Sequence, residues 1–367
     1  MKQILFVTNI PSPYRVKFFD ALGKSMDVTV LYFDQGADHT GRAADWYIQG
    51  EGGFHPVQLT KRVVSIGGEN LCLDVINWLK EPWDAIVLCG YSSPTVMLAI
   101  AYMRLNGIPF YMEVDGGLIR EESGVKYWFK KLLVSSANWW ISSGKNTTEY
   151  LLHYGAKKDK IYEYPFSSLE EADILTAPVS ADEKLTIRKE LGIAEKKMVL
   201  SIGQFIHRKG FDILLKAAGQ MSDDTGIYIV GGKATEEYLA LADHLKLKNV
   251  HFVGFLKREE LARYYNAADL FVLPTREDIW GLVINEAMAY GLPVITTDKC
   301  VAGLELVRDG VNGYIVPVED ETILAEIMKT VLASDIEKMG KAALEIIRPY
   351  TIENMAKVHL DIFEKKM

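Results

Sequence analysis

Between Asp269 and Gly291 the sequence reads Asp-Leu-Phe-Val-Leu-Pro-Thr-Arg-Glu-Asp-Ile-Trp-Gly-Leu-Val-Ile-Asn-Glu-Ala-Met-Ala-Tyr-Gly, followed by Leu-Pro-Val-Ile. An apolar strand ends at Pro274, a polar loop holding Gly281 follows, and a helix starts near Leu282. The first turn of a helix has unpaired N–H donors at the positive end of its dipole, so this start is an anion site. Asp278 lies in the loop and Glu286 about one turn into the helix. Carboxylates beside an anion site suit sugar hydroxyls, whose hydrogen bonds a carboxylate accepts strongly. Two ordinary solvated acids are the competing reading, and spacing alone weighs the two equally.

Three further groups of residues have chemical character. Arg208 and Lys209 end a strand–loop segment and suit the neutralisation of a diphosphate, although taken in isolation a solvated basic pair is the simpler reading. In Phe110-Tyr-Met-Glu-Val-Asp-Gly-Gly117 a strand runs into a polar turn, and Glu113 and Asp115, two apart, project from the same strand face. Asn9, Pro13, Tyr14 and Arg15 follow the first strand. Arg15 either meets an acceptor phosphate or, as the simpler case, is a plain helix-surface residue.

The elements that must position these residues repeat as strand, loop and helix. Apolar runs without alternation, as in Ile4–Thr8, mark strands covered on both faces. Strands are expected at 4–8, 28–33, 85–88, 110–114, 139–142 and 161–164, and helices at 71–80, 94–106, 125–135 and 146–154. Ser12-Pro13 starts the first helix and Gly23 ends it. A second set begins near Met198, with strands at 198–202, 227–230, 250–253, 270–273 and 293–296. Helices at 211–220, 236–245, 258–266 and 282–290 separate them, and Ile352–Lys366 is a last helix. Strands alternating with helices give two parallel-sheet domains, with ligands expected beyond the carboxyl ends of the strands. The division expected is 1–168, a connector at 169–197, 198–348, and a C-terminal helix at 349–367 that belongs to either domain or packs back on the first.

A chain of 367 residues fits two domains, and 49% apolar with 25% charged residues excludes a disordered, fibrous or multi-span membrane protein. The net charge of −8 argues against nucleic acid as a partner. Cys72, Cys89 and Cys300 form no short pair, and the seven histidines show no metal-ligand spacing, so neither a disulfide framework nor a metal is expected. Asn9, Pro11 and Pro13 break the first apolar run, against a signal peptide, and a reducing cytoplasm is the expected location. The uncharged stretch 85–103 holds Gly90-Tyr-Ser-Ser-Pro94 in its middle and reads as a buried strand, loop and helix rather than a membrane span. In Val125–Val134, Val125, Phe129, Leu132 and Leu133 share one side, Lys126, Lys130 and Lys131 another, and Trp128 the boundary. Such a helix packs its apolar stripe on the sheet, the favoured reading, or lies on an anionic membrane surface.

The segment from Asp269 resembles the Glu-x7-Glu signature of retaining GT-B glycosyltransferases of family four, with the Ala-Met-Ala-x-Gly-x-Pro-Val run matched at Ala287–Val294. Gly203-Gln-Phe-Ile-His-Arg-Lys-Gly210, Gly231-Gly232, Val253-Gly-Phe255 and Asp309-Gly-x-Asn-Gly313 also sit where that family has counterparts. The resemblance spans roughly 198–320 and, more loosely, the whole chain. It implies a GT-B fold, two Rossmann-like domains facing an interdomain cleft. It also implies transfer of a sugar from a UDP- or GDP-linked donor to an acceptor hydroxyl with retention and without a metal or cofactor. The acceptor is expected to be a bacterial surface saccharide or a lipid-linked one, with the enzyme on the inner face of the membrane.

By resemblance Glu286 holds the ribose hydroxyls and Asp278 contacts the donor sugar, and the amides of Gly281, Leu282 and Val283 lie near the diphosphate with Arg208 and Lys209. Gly203, Gln204 and Gly231 line the same donor site, and the backbone at Phe255 and Leu256 reads the base. Asp115 falls where many relatives place a histidine, and orients the donor sugar or takes the acceptor proton; Gly116 and the Asn9–Arg15 loop, in place of a Gly-rich loop, lie on the acceptor side. Two departures stand out. Asp278 replaces the family's first glutamate, with Glu277 one residue out of register, and Gln204 replaces an arginine whose charge Arg208 is placed to supply. They leave room for a catalytically silent scaffold, and the resemblance also extends to a nucleotide-sugar epimerase or phosphorylase-like enzyme of the same fold.

Overall fold

Ile4, Leu5, Phe6 and Val7 are all fully buried, as expected of a strand covered on both faces. The structure, a computed structural model, describes residues 1–34 and 52–366. Two units divide it: residues 1–170 with 350–367, and residues 171–349.

The first unit runs β1 (Gln3–Thr8), α1 (Pro13–Gly23), β2 (Asp27–Tyr32), β3 (His55–Gln58), β4 (Val63–Ile66), β5 (Glu69–Cys72), α2 (Val75–Leu79), β6 (Ala85–Cys89) and α3 (Pro94–Asn106). It continues with β7 (Tyr111–Val114), α4 (Gly124–Val134), β8 (Trp139–Ser142), α5 (Lys145–His153) and β9 (Ile161–Glu163). Seven strands form a parallel sheet in the order β3-β2-β1-β6-β7-β8-β9, while β4 and β5 pair apart as an antiparallel hairpin. Pro13 occupies the first turn of α1 as the sequence predicts, and Ser93 caps α3 by accepting the Val96 N–H. The uncharged stretch 85–103 is indeed a buried strand, a loop and a helix.

The second unit contains α6 (Ala181–Leu191), β10 (Lys197–Ile202), α7 (Phe211–Ala218), β11 (Thr225–Val230), α8 (Glu236–His244), β12 (Val250–Val253) and α9 (Arg258–Ala267). After these come β13 (Leu270–Leu273), α10 (Leu282–Ala289), β14 (Val294–Thr297), α11 (Val301–Leu306), β15 (Gly313–Val316), α12 (Glu321–Leu332) and α13 (Ile336–Ile347). Its six-stranded sheet is parallel, in the order β12-β11-β10-β13-β14-β15. The segment 171–197, read from the sequence as a connector, lies in this unit: Arg188 of α6 is buried and donates to the Ala267 and Lys196 carbonyls.

The last helix, α14 (Ile352–Lys366), belongs to the first unit, against α1. Its Phe363 ring meets Phe6 and Tyr111, and its His359 ring meets Phe18 and Tyr164. Phe363 is fully buried, a burial worth about 1.5–3 kcal/mol.

Two expectations need correction. The helix expected at 71–80 is only Val75–Leu79, because Leu71 and Cys72 belong to β5. Thr95 of α3 holds that strand, accepting the Cys72 N–H at 3.0 Å and donating to the Asn70 carbonyl at 2.6 Å. The stripe of α4 does not pack on the sheet either. Only Leu133 and Val134 are buried, whereas Val125, Trp128, Phe129 and Leu132 are exposed. Among the described residues, no helix is long and apolar enough to cross a membrane.

Candidate functional site

In a parallel sheet every strand delivers its following loop to one edge. In the second unit that edge carries Gly203 after β10, Gly231 after β11, Phe255 after β12 and the 275–278 loop after β13. Gly231 and Gly203 touch through backbone: a Cβ on Gly231 would lie 1.8 Å from the Gly203 carbonyl oxygen, so no larger residue fits.

Two loops meet here. The loop after β10 closes in a single 3-10 turn, His207–Lys209, before Gly210 starts α7. The loop after β13 is stitched to it. The Arg276 N–H and the Thr275 hydroxyl donate to the Arg208 carbonyl at 2.8 and 2.9 Å, and Arg276 Nη1 donates to the His207 carbonyl at 2.7 Å. Arg276 also forms a two-pronged pair with Asp212 of α7 and a pair with Glu319. Burial would raise the Asp212 carboxyl, but Arg276 outweighs it and holds the group below its usual range.

This stitching places the charges. Lys209 Nζ is 2.6 Å from Asp278 Oδ2, with both side chains almost buried. Arg208 is more exposed; it donates to the Glu277 carbonyl at 2.7 Å and lies 3.4 Å from Asp278 Oδ1. The Asp278 backbone is fixed from the other side by the Lys299 carbonyl and the Val301 N–H. The Lys209 stem passes 3.4 Å from where a Gly203 Cβ would stand.

Gly281 starts α10 with φ of +99°, a conformation L side chains rarely adopt, and a Cβ there would lie 2.9 Å from the Cys300 sulfur. Burial, with Asp278 adding to it, pushes the Cys300 thiol up to about 12, so it packs as a neutral thiol. Leu282 and Val283 form the first turn of α10, and a Cβ on the preceding Gly281 would lie 3.6 Å from the Asp278 carboxyl carbon. Glu286, on the same helix, accepts a 2.9 Å hydrogen bond from Tyr265, whose ring stacks on Tyr290 at 4.8 Å. Phe255 is 68% exposed, Leu256 is half-buried, and Gln204 is exposed.

The corresponding edge of the first unit carries Asn9 after β1 and Asp115–Gly116 after β7. Asn9 is exposed and its Oδ1 accepts the Ile10 N–H at 2.8 Å. Tyr14 is half-buried beside Pro13, its ring against Phe166. Arg15 is not the helix-surface residue that the sequence favours; it is 4% exposed. Its guanidinium contacts both oxygens of Asp115 at 2.7 Å and Glu113 Oε1 at 2.5 Å. Burial alone would lower the Arg15 pKa, but Asp115 and Glu113 outweigh it and raise it well above its usual value. The Tyr164 hydroxyl donates to Asp115 at 2.8 Å.

The structure thus joins Gly203, Gly231, Arg208, Lys209, Glu277, Asp278 and Gly281 in the second unit, and Tyr14, Arg15 and Asp115 in the first. Sequence reasoning missed Arg276, Tyr265, Tyr164 and His359. Arg276 was legible as the cation of the Thr-Arg-Glu-Asp loop; the others have partners too distant in sequence to suggest themselves. Among the described residues no cluster of metal-ligating side chains occurs.

Comparison with known proteins places this geometry in context. Residues 183–345 match the model of a family described as glycosyl transferases group 1. A D-inositol 3-phosphate glycosyltransferase of Xylanimonas cellulosilytica is 28% identical over 300 residues, covering 78% of this chain and 68% of that protein. Other curated relatives are spanned over between 38% and 57% of their length. Among solved structures, sucrose-phosphate synthase of Thermosynechococcus elongatus superposes with a TM-score of 0.75 at 20% identity, covering 100% of this chain and 99% of that one. Anabaena Alr3699/HepE in complex with UDP and glucose superposes with a TM-score of 0.75 at 18% identity, over 100% of both chains.

Proposed function

We propose, from the match of residues 183–345 to the glycosyl transferases group 1 and from the GT-B fold of the chain, that this protein moves a hexose from a UDP- or GDP-linked donor to an acceptor hydroxyl with retention of configuration. The observation that carries this reading is the packing of Lys209, Asp278 and the start of α10 in one pair of stitched loops. As the bond from the sugar C1 to the diphosphate breaks, negative charge develops on the leaving oxygens. Arg208, Lys209 and the amides of Gly281, Leu282 and Val283 are placed to receive it. The acceptor oxygen bonds to C1 on the same face, and its proton leaves toward the departing diphosphate or Asp115. With Arg208 and Lys209 assigned to this charge, the reading includes no essential metal.

Asp278 accepts a hydroxyl of the donor sugar, Glu286 the ribose hydroxyls, and the backbone at Phe255 and Leu256 contacts the base. The UDP and glucose held by the Anabaena neighbour are of the ligand class expected here. A lipid-linked saccharide, as in the synthesis of bacterial surface polysaccharide, is the acceptor that suits α4. Its exposed Val125, Trp128, Phe129 and Leu132, with Lys126, Lys130 and Lys131, fit an anionic bilayer at the inner face of the membrane.

Thermal stabilisation by UDP, GDP, ADP and their sugar conjugates, with and without EDTA, tests the donor site. One nucleotide is expected to raise Tm, unaffected by EDTA, and Glu286→Ala to remove the shift. No shift with any nucleotide overturns the reading. Binding without turnover of any nucleotide-sugar would favour a catalytically silent protein.

A further inference from the structure

Behind Asp115 the charged groups continue inward as far as the last helix. Arg15 stands between the Asp115 and Glu113 carboxylates. Beyond Glu113 lies His359 of α14, with its Nε2 3.5 Å from Glu113 Oε2, and both side chains are completely buried. Neither of these two atoms has a hydrogen-bond partner by strict geometry among the described residues.

Hydrogen bonding and charge balance both call for a proton in this contact. His359 Nδ1 is 2.8 Å from the Met355 carbonyl oxygen, which only accepts, so Nδ1 carries a hydrogen. In a neutral ring Nε2 would then be a bare acceptor facing a carboxylate oxygen, with water excluded from both. Buried polar groups left unsatisfied in this way are costly. A hydrogen on Nε2 converts the same contact into a charge-assisted one. Charge balance points the same way. Glu113 and Asp115 bring two negative charges and Arg15 one positive; an imidazolium makes the count even in an interior where unbalanced charge is costly.

Among the described residues, the groups that meet His359 supply no other cation. Phe18 of α1 and Phe363 of α14 are apolar, and Tyr164, beyond β9, gives its hydroxyl to Asp115 and stands 3.4 Å from Glu113 Oε1. Burial alone would push the Glu113 carboxyl up, but Arg15 first and His359 next hold it down at about 2.

We propose that His359 is a positioning residue for sugar transfer: as an imidazolium it fixes Glu113, Glu113 fixes Arg15, and Arg15 presents Asp115 as an immobile carboxylate to a sugar hydroxyl. Both Asp115 oxygens already accept from Arg15, one of them also from Tyr164, and the side chain remains 28% exposed. Its role is therefore to accept a hydroxyl in fixed geometry, with little ordering left to do on binding. This inference rests on the reading that Asp115 meets a sugar.

Two measurements test it. In the full chain labelled with nitrogen-15 at histidine, His359 is expected to show two protonated ring nitrogens at neutral pH, assigned by the signal lost in His359→Gln. An unprotonated Nε2 overturns the proposal, and this experiment needs no active variant. For turnover, nucleotide release from UDP-glucose, GDP-mannose or ADP-glucose is followed with whichever the wild type uses. Well below its Tm, His359→Gln is expected to lower kcat about tenfold or more with donor KM unchanged. Asp115→Asn separates the two possible failures. If Asp115→Asn leaves turnover intact, Asp115 lies outside the reaction, and the inference falls together with the reading that Asp115 meets a sugar, while sugar transfer itself stands. If Asp115→Asn lowers turnover while His359→Gln and Glu113→Gln match the wild type, the inference alone is overturned.

Discussion

Lys209 Nζ meets Asp278 Oδ2 at 2.6 Å, so this cation already has a carboxylate partner before any diphosphate arrives. Both side chains are close to buried, where a pair is worth less than the damage done by breaking it. Asp278→Asn is therefore expected to destabilise the protein by about 3 kcal/mol by leaving Lys209 uncompensated. The double variant Lys209→Met/Asp278→Asn should be more stable than Asp278→Asn alone. Urea unfolding of the two single variants, the double and the wild type gives the coupling directly.

Glu286→Gln keeps an oxygen for Tyr265 but removes the charge. Tm without ligand should stay within about 2 °C of the wild type. Affinity for the stabilising nucleotide should fall by about 2 kcal/mol, or roughly 30-fold, as a charged acceptor is lost from the ribose hydroxyls. Titration calorimetry with the nucleoside diphosphate measures both the loss and its size.

At Gly281 a methyl group would require a strained φ and would press on the Cys300 sulfur. Gly281→Ala should cost about 1–3 kcal/mol from the backbone alone, plus the contact. Adding Cys300→Ala should recover only the contact. Equal stability of the double variant and the wild type in urea would mean that φ is not the constraint.

Glu113 gives a pH dependence of definite sign. Its folded carboxyl, near 2, lies below the ordinary value of 4.5, so its contribution is present above pH 4.5 and lost as pH falls toward 2. Wild-type stability should fall through that window more steeply than that of Glu113→Gln. Denaturant midpoints at a series of pH values between 5 and 2 make the comparison.

Trp128→Glu with Leu132→Glu should leave Tm unchanged, since both side chains are more than half exposed. Sedimentation with anionic phosphatidylglycerol vesicles should fall strongly, whereas Lys126→Ala, Lys130→Ala and Lys131→Ala should each cost about 1 kcal/mol or less. Equal sedimentation of wild type and Trp128→Glu/Leu132→Glu would remove α4 as a membrane contact.

The parallel sheets were readable because their strands are unbroken apolar runs, as at Ile4–Val7 and Leu270–Leu273, each bounded by turn residues. The 204–210 and 275–286 loops were readable as chemistry because charged residues, glycine and a helix start are adjacent in sequence. What failed locally did so because the deciding partner is remote. Leu71 and Cys72 look helical until Thr95 ties them into β5. Arg15 looks like a surface cation because Glu113 and Asp115 lie about a hundred residues away. The apolar stripe of α4 was visible, but periodicity cannot say whether such a stripe faces a core or solvent.

The return of α14 to the first unit also orders events during synthesis. The second unit, residues 171–349, is synthesised between the body of the first unit and α14, a delay of roughly 10–35 s at about 5–20 residues per second. During that interval Phe6, Phe18 and Tyr111 lack the rings that later cover them, and Glu113 lacks His359. The nascent first unit is thus an unfinished core with a buried charge still unbalanced. The first unit can close only after the inserted second one has been made.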